Sequence, residues 1–138
     1  MYRSETQLRV RYSETDQMGF VYYGHYAAYF EVARVESLRH LGLRYRDLEA
    51  DGILMPVVDY TIRYHRPARY DEQLKIVTEI PELPRARIRF EYRTYNEDAV
   101  LINEASTTLF FMNSARNRPC AAPAGLLERL QPYFPAEG

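Results

Sequence analysis

The stretch GHYAAYFEVARVESLRHL, residues 24–41, predicts the one long helix of this chain. The positions expected on its buried face step by three or four residues, as one face of an α-helix does; these are Tyr26, Phe30, Ala33, Ser37 and Leu41, with Tyr29 and Leu38 widening the stripe. Gly42 follows where a residue in the left-handed conformation would end a helix. The rest of the chain must therefore supply the surface that covers this helix.

Outside that helix the polarity alternates with a period of two, which is typical of strands with one buried face. The alternation predicts strands at residues 6–12, 58–65, 74–80, 85–93 and 100–112, and short helices at residues 45–51 and 126–130. The last four strands are joined by short turns, so we expect them to pair antiparallel. We predict an α+β fold, a five-stranded antiparallel sheet wrapped around one long central helix, in a single domain over residues 1–138.

Composition excludes several classes of protein. The 138 residues include 18 basic and 19 acidic side chains, a formal charge of −1, which argues against a nucleic-acid partner held by phosphate neutralisation. Cys120 is the sole cysteine, and the three histidines lack close spacing, so neither a disulfide nor a metal site is predicted. No apolar run approaches the ~20 residues of a membrane-spanning helix, and no secretory signal is recognised, so we expect a cytoplasmic protein.

Candidate chemistry lies in the loop before the helix. The residues at the expected helix start, Tyr22 to His25, include no strong capping side chain, so the first backbone N–H groups are available to a ligand oxygen, unless glycine or water caps them. Asp16 precedes them in the same loop, and a carboxylate beside such donors suits acyl transfer as nucleophile or general base. The alternatives are that Asp16 only shapes a turn, or that Glu14 takes its role.

The loop and helix carry a family resemblance. The runs RVRYSETDQMGFVYYGHYAAYFEVARVE, residues 9–36, and PVVDYTIRYHRPARYDEQLKI, residues 56–76, resemble the 4-hydroxybenzoyl-CoA thioesterase family of hotdog-fold proteins. Their core follows the pattern Tyr-x-x-Thr-Asp-x-x-Gly, from Tyr12 to Gly19. The resemblance implies a hotdog fold and an acyl-CoA or aryl-CoA substrate. It also implies a homodimer or homotetramer with active sites between subunits.

By the same resemblance, Asp16 is the catalytic carboxylate and Tyr23 supplies an N–H group for the oxyanion, and the uncapped helix start adds the N–H group of Gly24. His25, at a position more often Asn in the family, belongs to the substrate pocket. Arg85 and Arg118 would contact CoA phosphates, although a solvated strand face is the other reading of Arg85. No metal and no cofactor is implied, because coenzyme A arrives as part of the substrate.

Two other functions remain open from the sequence. A hotdog-fold enoyl-CoA hydratase or dehydratase would need a histidine with an acidic partner, which His25 could form with Asp16 or Asp59. A non-catalytic acyl-CoA-binding protein would hold the ligand without releasing a thiol. The sequence leaves the acyl group undecided between aromatic and aliphatic.

Overall fold

The computed structural model describes residues 1–135. Along the chain it contains β1 (Tyr2–Arg9), a 3-10 turn (Tyr12–Glu14), α1 (His25–His40), α2 (Tyr45–Ala50), β2 (Ile53–Leu54), β3 (Val57–Tyr64), β4 (Gln73–Ile80), β5 (Arg87–Tyr95), β6 (Leu101–Phe110), β7 (Met112–Asn113), β8 (Arg118–Pro119), α3 (Ala124–Leu130) and a second 3-10 turn (Gln131–Tyr133).

Five of the strands form one antiparallel sheet in the order β1-β4-β5-β6-β3. The other three strands, each two residues long, form a small sheet in the order β2-β7-β8. The predicted α+β architecture, a five-stranded antiparallel sheet with one long helix, is therefore confirmed. Strand β3 is an edge of the large sheet, so one side of its backbone has no neighbouring strand among residues 1–135.

Helix α1 packs on the inner face of the large sheet and forms the core with it. Its buried side chains follow the predicted stripe, and Phe30 stacks on Tyr92 of β5 with 4.6 Å between the ring centres. The strands contribute alternating apolar residues to the same cluster, among them Leu74, Ile76 and Ile80 of β4. The hydrophobic face of each element is thus buried against the other, as the two periodicities predict.

Three strands differ from the prediction by two residues or more. Strand β5 runs from Arg87 to Tyr95 rather than over residues 85–93, so Arg85 lies in the turn before it. The first strand runs from Tyr2 to Arg9, because β1 pairs with β4 as far as Arg9 and Gln73 and the chain then turns into the 3-10 turn. Tyr12, predicted on its buried face, is therefore 77% exposed. The last strand ends at Phe110, since residues 112–113 leave the large sheet to pair in the small one.

Within residues 1–135, no helix is long and apolar enough to cross a membrane. A cytoplasmic location stays a prediction.

Candidate active site

A cavity of about 320 Å³ opens beside Asp16. The loop before α1 lines one side of it, with Asp16, Phe20 and Tyr23. The segment that follows β3 lines the other side, including His65 and Arg66. The cavity combines several aromatic rings with a few charged groups, which is typical of a small-molecule site.

Asp16 is held by the backbone of its own loop. Its Oδ1 accepts hydrogen bonds from the N–H groups of Met18, at 2.9 Å, and Phe20, at 3.3 Å. The loop closes with Gly19 at φ +80°, a conformation that favours glycine. The turn that the sequence offered as an alternative role for Asp16 is therefore present. It engages only Oδ1, and no residue in 1–135 donates a hydrogen bond to Oδ2, so the second oxygen can act on a substrate.

The start of α1 offers two backbone donors. Gly24 is the N-cap residue, and no side chain caps the helix there. The N–H groups of His25 and Tyr26 donate to the carbonyl oxygens of Tyr22 and Tyr23. The N–H groups of Tyr23 and Gly24 make no hydrogen bond within the described part of the chain. A Cβ on Gly24 would lie 2.9 Å from Tyr22 Cε1, so glycine at this position leaves room for the Tyr22 ring.

Glu14 has a different position from Asp16. Its carboxylate is buried, and it accepts hydrogen bonds from the Arg11 backbone N–H at 2.8 Å, the Arg11 guanidinium at 3.0 Å and the Tyr29 hydroxyl at 2.9 Å. Burial alone would raise the pKa of Glu14, but the hydrogen bonds from Arg11 and Tyr29 outweigh it, so the pKa is lowered. Glu14 is absent from the cavity lining, and its carbonyl oxygen accepts from the Tyr22 N–H at 2.9 Å. It anchors the loop rather than competing with Asp16.

Two tyrosines of α1 fix the loops on either side of the cavity. Tyr29 donates to Glu14, and Tyr26 accepts from the backbone N–H of Ala68 at 3.1 Å. Ala68 in turn accepts from Val21 at 2.8 Å, so the two loops are also joined directly. Burial raises the pKa of both tyrosines, and Glu14 raises that of Tyr29 further. Both hydroxyls therefore stay protonated and hold the site in shape.

His25 does not form the acid pair that a hydratase would need. Its half-buried ring meets Tyr22 edge-on, with 6.0 Å between ring centres, and it lies within ion-pair distance of neither Asp16 nor Asp59. It is also not among the residues that line the cavity. The histidine that pairs with an acid is His65, whose Nε2 lies 2.9 Å from Glu104 Oε2.

Sequence reasoning missed His65 and Arg66 at the cavity wall. Both directly precede Pro67, where the alternating pattern of a strand ends. This position at the end of a strand is the only local feature of the sequence that could have indicated them. In residues 1–135, no group of three or more His, Cys, Asp or Glu side chains is arranged to hold a metal ion.

Arg85 and Arg118 are exposed and lie far from Asp16 in the chain. The Arg85 carbonyl accepts from Ala122 at 2.7 Å, which brings the two arginine-bearing segments together at the Val57 end of β3. The cavity lies at the other end of that strand, roughly 20 Å away at ~3.3 Å per residue. The chain thus brings Asp16 and Tyr23 to one cavity, with Gly24 next to Tyr23 in the sequence but outside the lining, and leaves both arginines apart from them.

Comparison with known proteins places this geometry in context. Residues 10–130 match the model of the thioesterase-like superfamily. The acyl-CoA thioester hydrolase YbgC of Escherichia coli is 34% identical over 120 residues, covering 87% of this chain and 90% of that protein. The structure of a DHNA-CoA thioesterase from Staphylococcus aureus superposes with a TM-score of 0.84 at 36% identity, covering 98% of this chain and 85% of that one.

A more distant structure supports the fold. A 4-hydroxybenzoyl-CoA thioesterase variant in complex with 4-hydroxybenzoyl-CoA superposes with a TM-score of 0.83 at 22% identity, covering 94% of this chain and 99% of that one. At that identity the likeness shows a shared fold alone. Together with the closer matches it identifies the hotdog fold that the sequence resemblance implied.

Proposed function

The chain belongs to the thioesterase-like superfamily and is a thioester hydrolase, and from that premise we propose that it hydrolyses an acyl-CoA or aryl-CoA at the Asp16 cavity. The observation that carries the proposal is that Asp16, with one carboxylate oxygen unpaired in residues 1–135, and Tyr23, whose backbone N–H is likewise unpaired there, line the same cavity. The products are free CoA and a carboxylic acid. The proposed reaction uses no metal and no separate cofactor, because CoA is part of the substrate.

Asp16 provides the carboxylate for the attack. As a general base, its free oxygen takes a proton from water while the water oxygen bonds to the thioester carbonyl carbon. As a nucleophile, the same oxygen bonds to that carbon directly and forms an acyl-aspartyl anhydride, which water then hydrolyses. In both routes the carbon–sulfur bond breaks and the CoA thiolate leaves, taking up the proton that the water loses.

The N–H groups of Tyr23 and Gly24 would stabilise the charge that develops on the carbonyl oxygen. They lie at the N-terminus of α1, where the helix dipole also favours a negative charge. Donors of this kind contribute roughly 100- to 1000-fold to the rate of acyl transfer. In this arrangement Tyr23 acts through its backbone, and the half-buried His25, which does not line the cavity, packs against the ring of Tyr22.

The edge strand β3 supports a homodimer. It is eight residues long and bears exposed apolar side chains, including Val57, Val58 and Tyr64, at 46–47% exposure. An unpaired apolar edge of this length is a template for pairing with another strand. We propose that two copies join their β3 edges antiparallel about a two-fold axis.

Antiparallel pairing would also complete the substrate site. It places the Val57 end of one β3 beside the Tyr64 end of the other. The Arg85 and Arg118 segments of one subunit then approach the Asp16 cavity of its partner, where they can hold CoA phosphates. This accounts for arginines that lie roughly 20 Å from the cavity of their own chain.

The experiment is a thiol-release assay with aliphatic and aryl CoA thioesters, run on the wild type, Asp16→Asn and the control Asp47→Asn. The asparagine side chain keeps an Oδ1 acceptor for Met18 and Phe20, so the Asp16→Asn variant should fold while its turnover falls at least about 100-fold. Asp47 is exposed on α2 and serves as a matched change away from the cavity. Undiminished turnover by Asp16→Asn would refute the proposed role of that carboxylate.

Two further outcomes would contradict thioester hydrolysis itself. One is addition of water to an enoyl-CoA without release of thiol, which is hydratase chemistry. The other is tight binding of acyl-CoA with no thiol released, which is the behaviour of a binding protein.

A further inference from the structure

Arg34 is a buried charge without an ionic partner among the described residues of its own chain. Its side chain points from α1 into the protein, and the residue is 7% exposed. Nη1 donates to the Tyr92 hydroxyl at 3.3 Å, and Nε has no hydrogen-bond acceptor in the described residues. No carboxylate of residues 1–135 lies within 4.0 Å of it. A buried guanidinium normally gains such a partner, because an unpaired charge in the interior is costly.

Arg34 borders a second cavity, of about 330 Å³, between α1 and the edge strand β3. Glu31 lies one helical turn before it and lines the same cavity. Glu31 is exposed, and it makes no ion pair or side-chain hydrogen bond within residues 1–135. Two opposite charges three residues apart therefore face one cavity without pairing with each other. By contrast, Glu36 and Arg39, at the same spacing on this helix, do form an ion pair at 3.2 Å.

Apart from Thr107 of β6, the rest of this cavity wall is small or apolar and lies next to the exposed edge. It includes Ala27 and Ala28 of α1 and Val57 and Tyr60 of β3. Small residues allow a second helix to approach closely, and the patch continues into the β3 edge on which the proposed dimer rests.

Two-fold symmetry would bring the unpaired charges together. Consider two antiparallel α1 helices related by a two-fold axis perpendicular to them, at a level along the helix midway between residues 32 and 33. Residue 31 of one helix is then at the same level as residue 34 of the other. The same contact then occurs twice. A second copy of the same chain thus supplies an acidic partner for Arg34, namely its Glu31.

We propose that a second copy of this chain fills the cavity, and that Glu31 of the partner subunit pairs with Arg34 in two reciprocal ion pairs. The pairs fix the register of the dimer, since a shift of α1 against its partner would leave both guanidinium groups unpaired. The inference rests on the proposed dimer and names the contact that orients it.

The test is a charge exchange read by sedimentation velocity. In a dimer of Glu31→Arg, the new guanidinium of each subunit faces Arg34 of the other, so two pairs of positive charges meet. In a dimer of Arg34→Glu, the new carboxylate of each subunit faces Glu31 of the other, so two pairs of negative charges meet. Each alone should raise the dimer dissociation constant at least about 100-fold. Mixed in equal amounts, the two variants form a heterodimer in which both pairs are again of opposite charge, so dimers should return.

The control is Glu36→Arg, which makes the same charge change on the same helix away from the cavity and should leave the dimer intact. Failure of the mixed variants to associate, when each is folded by circular dichroism, would overturn the ion pair. So would a dimer of Glu31→Arg as tight as that of Glu36→Arg. If Arg34→Glu does not fold, the comparison of Glu31→Arg with Glu36→Arg still tests the ion pair. Glu31 is exposed, so its substitution does not disturb the interior.

The thiol-release assay separates this inference from the proposed function. A wild type that releases CoA while Glu31→Arg remains a tight dimer contradicts only the ion pair. A wild type that forms the Glu31–Arg34 dimer but releases no thiol contradicts only the proposed function.

Discussion

Replacing Glu14 with glutamine should destabilise the loop that carries Asp16. Oε1 of Glu14 accepts two hydrogen bonds, from the Arg11 backbone N–H and from the Tyr29 hydroxyl, at 2.8 and 2.9 Å. Glutamine is of the same shape and keeps an oxygen at that position. The substitution therefore removes the charge while leaving the packing and both donors in place.

The size of the effect follows from these contacts. A hydrogen bond to a charged group contributes about 1.5–3 kcal/mol, against about 0.5–1.5 kcal/mol for a neutral pair. Each of the two bonds then weakens by about 1–1.5 kcal/mol. The ion pair with the Arg11 guanidinium adds little, because the Arg11 side chain is 77% exposed and solvent screens it. We expect Glu14→Gln to lower the free energy of unfolding by about 2–3 kcal/mol at pH 7.

The loss should also depend on pH in a defined direction. The pKa of Glu14 is lowered in the folded protein from its ordinary value of 4.5. Its stabilising contribution is therefore complete above pH 4.5 and is lost as the pH falls through the folded pKa. The gap in stability between wild type and Glu14→Gln should shrink as the solution is acidified below that value.

Urea unfolding at pH 7 and at a pH below the folded pKa measures both quantities. Glu36→Gln is the control, because the ion pair it removes is at the surface, and it should change stability by less than about 0.5 kcal/mol. Combining Glu14→Gln with Tyr29→Phe should show coupling of about 1 kcal/mol between the two residues. A Glu14→Gln variant as stable as wild type at pH 7, or an equal loss at both pH values, would refute this reasoning.

Three other changes test separate parts of the molecule. Tyr23→Ala keeps the backbone N–H, so kcat for thioester hydrolysis should fall less than about tenfold; a loss as large as that of Asp16→Asn would contradict a role through the backbone. Arg85→Ala with Arg118→Ala should raise KM for an acyl-CoA and leave kcat unchanged, with no effect on an N-acetylcysteamine thioester, which lacks the nucleotide. An equal effect on both substrates would exclude phosphate contacts. Gly42→Ala should lower the free energy of unfolding by about 1–3 kcal/mol, because φ is +88° and the new Cβ would lie 2.6 Å from an Arg129 nitrogen; an unchanged urea midpoint would contradict this.

The helix could be predicted because its signal is local. The apolar stripe and the following Gly42 define α1 to within one residue at each end, His25 to His40 against residues 24–41. The first strand was harder, since Ser4 and Thr6 point inward and break the alternation. The strands of the small sheet, two residues each, are too short to show any period.

Strand order could not be predicted from the same patterns. The alternation that includes Tyr60 and Tyr64 predicts a strand with one buried face, but β3 lies at the edge of the sheet and both side chains are exposed. Which strands become neighbours depends on hydrogen bonds between residues far apart in the chain, as between Tyr60 of β3 and Thr107 of β6. Local polarity carries no information on such pairing.

The candidate site divides in the same way. Asp16 and Gly24 belong to one continuous loop and helix start, so a local reading could propose them together. His65 and Arg66 reach the cavity only because β3 and the segment after it fold back beside that loop. The role of Glu14 depends on its contact with Tyr29, fifteen residues away, and no spacing rule predicts that contact.

The loop around Asp16 has a consequence for how such sequences diverge. The backbone supplies both donors to Oδ1, so the side chains of Gln17 and Met18, which are exposed, contribute nothing to holding it. Natural selection can then act on the first and last residues of this loop while positions 17 and 18 drift. We expect a saturation library of residues 16–19 selected for turnover to keep Asp16 and Gly19 and to accept many residues between them. The pattern Asp-x-x-Gly would then result from a constraint on the backbone of the loop. Its two variable positions, 17 and 18, could change as related proteins adapt to new substrates.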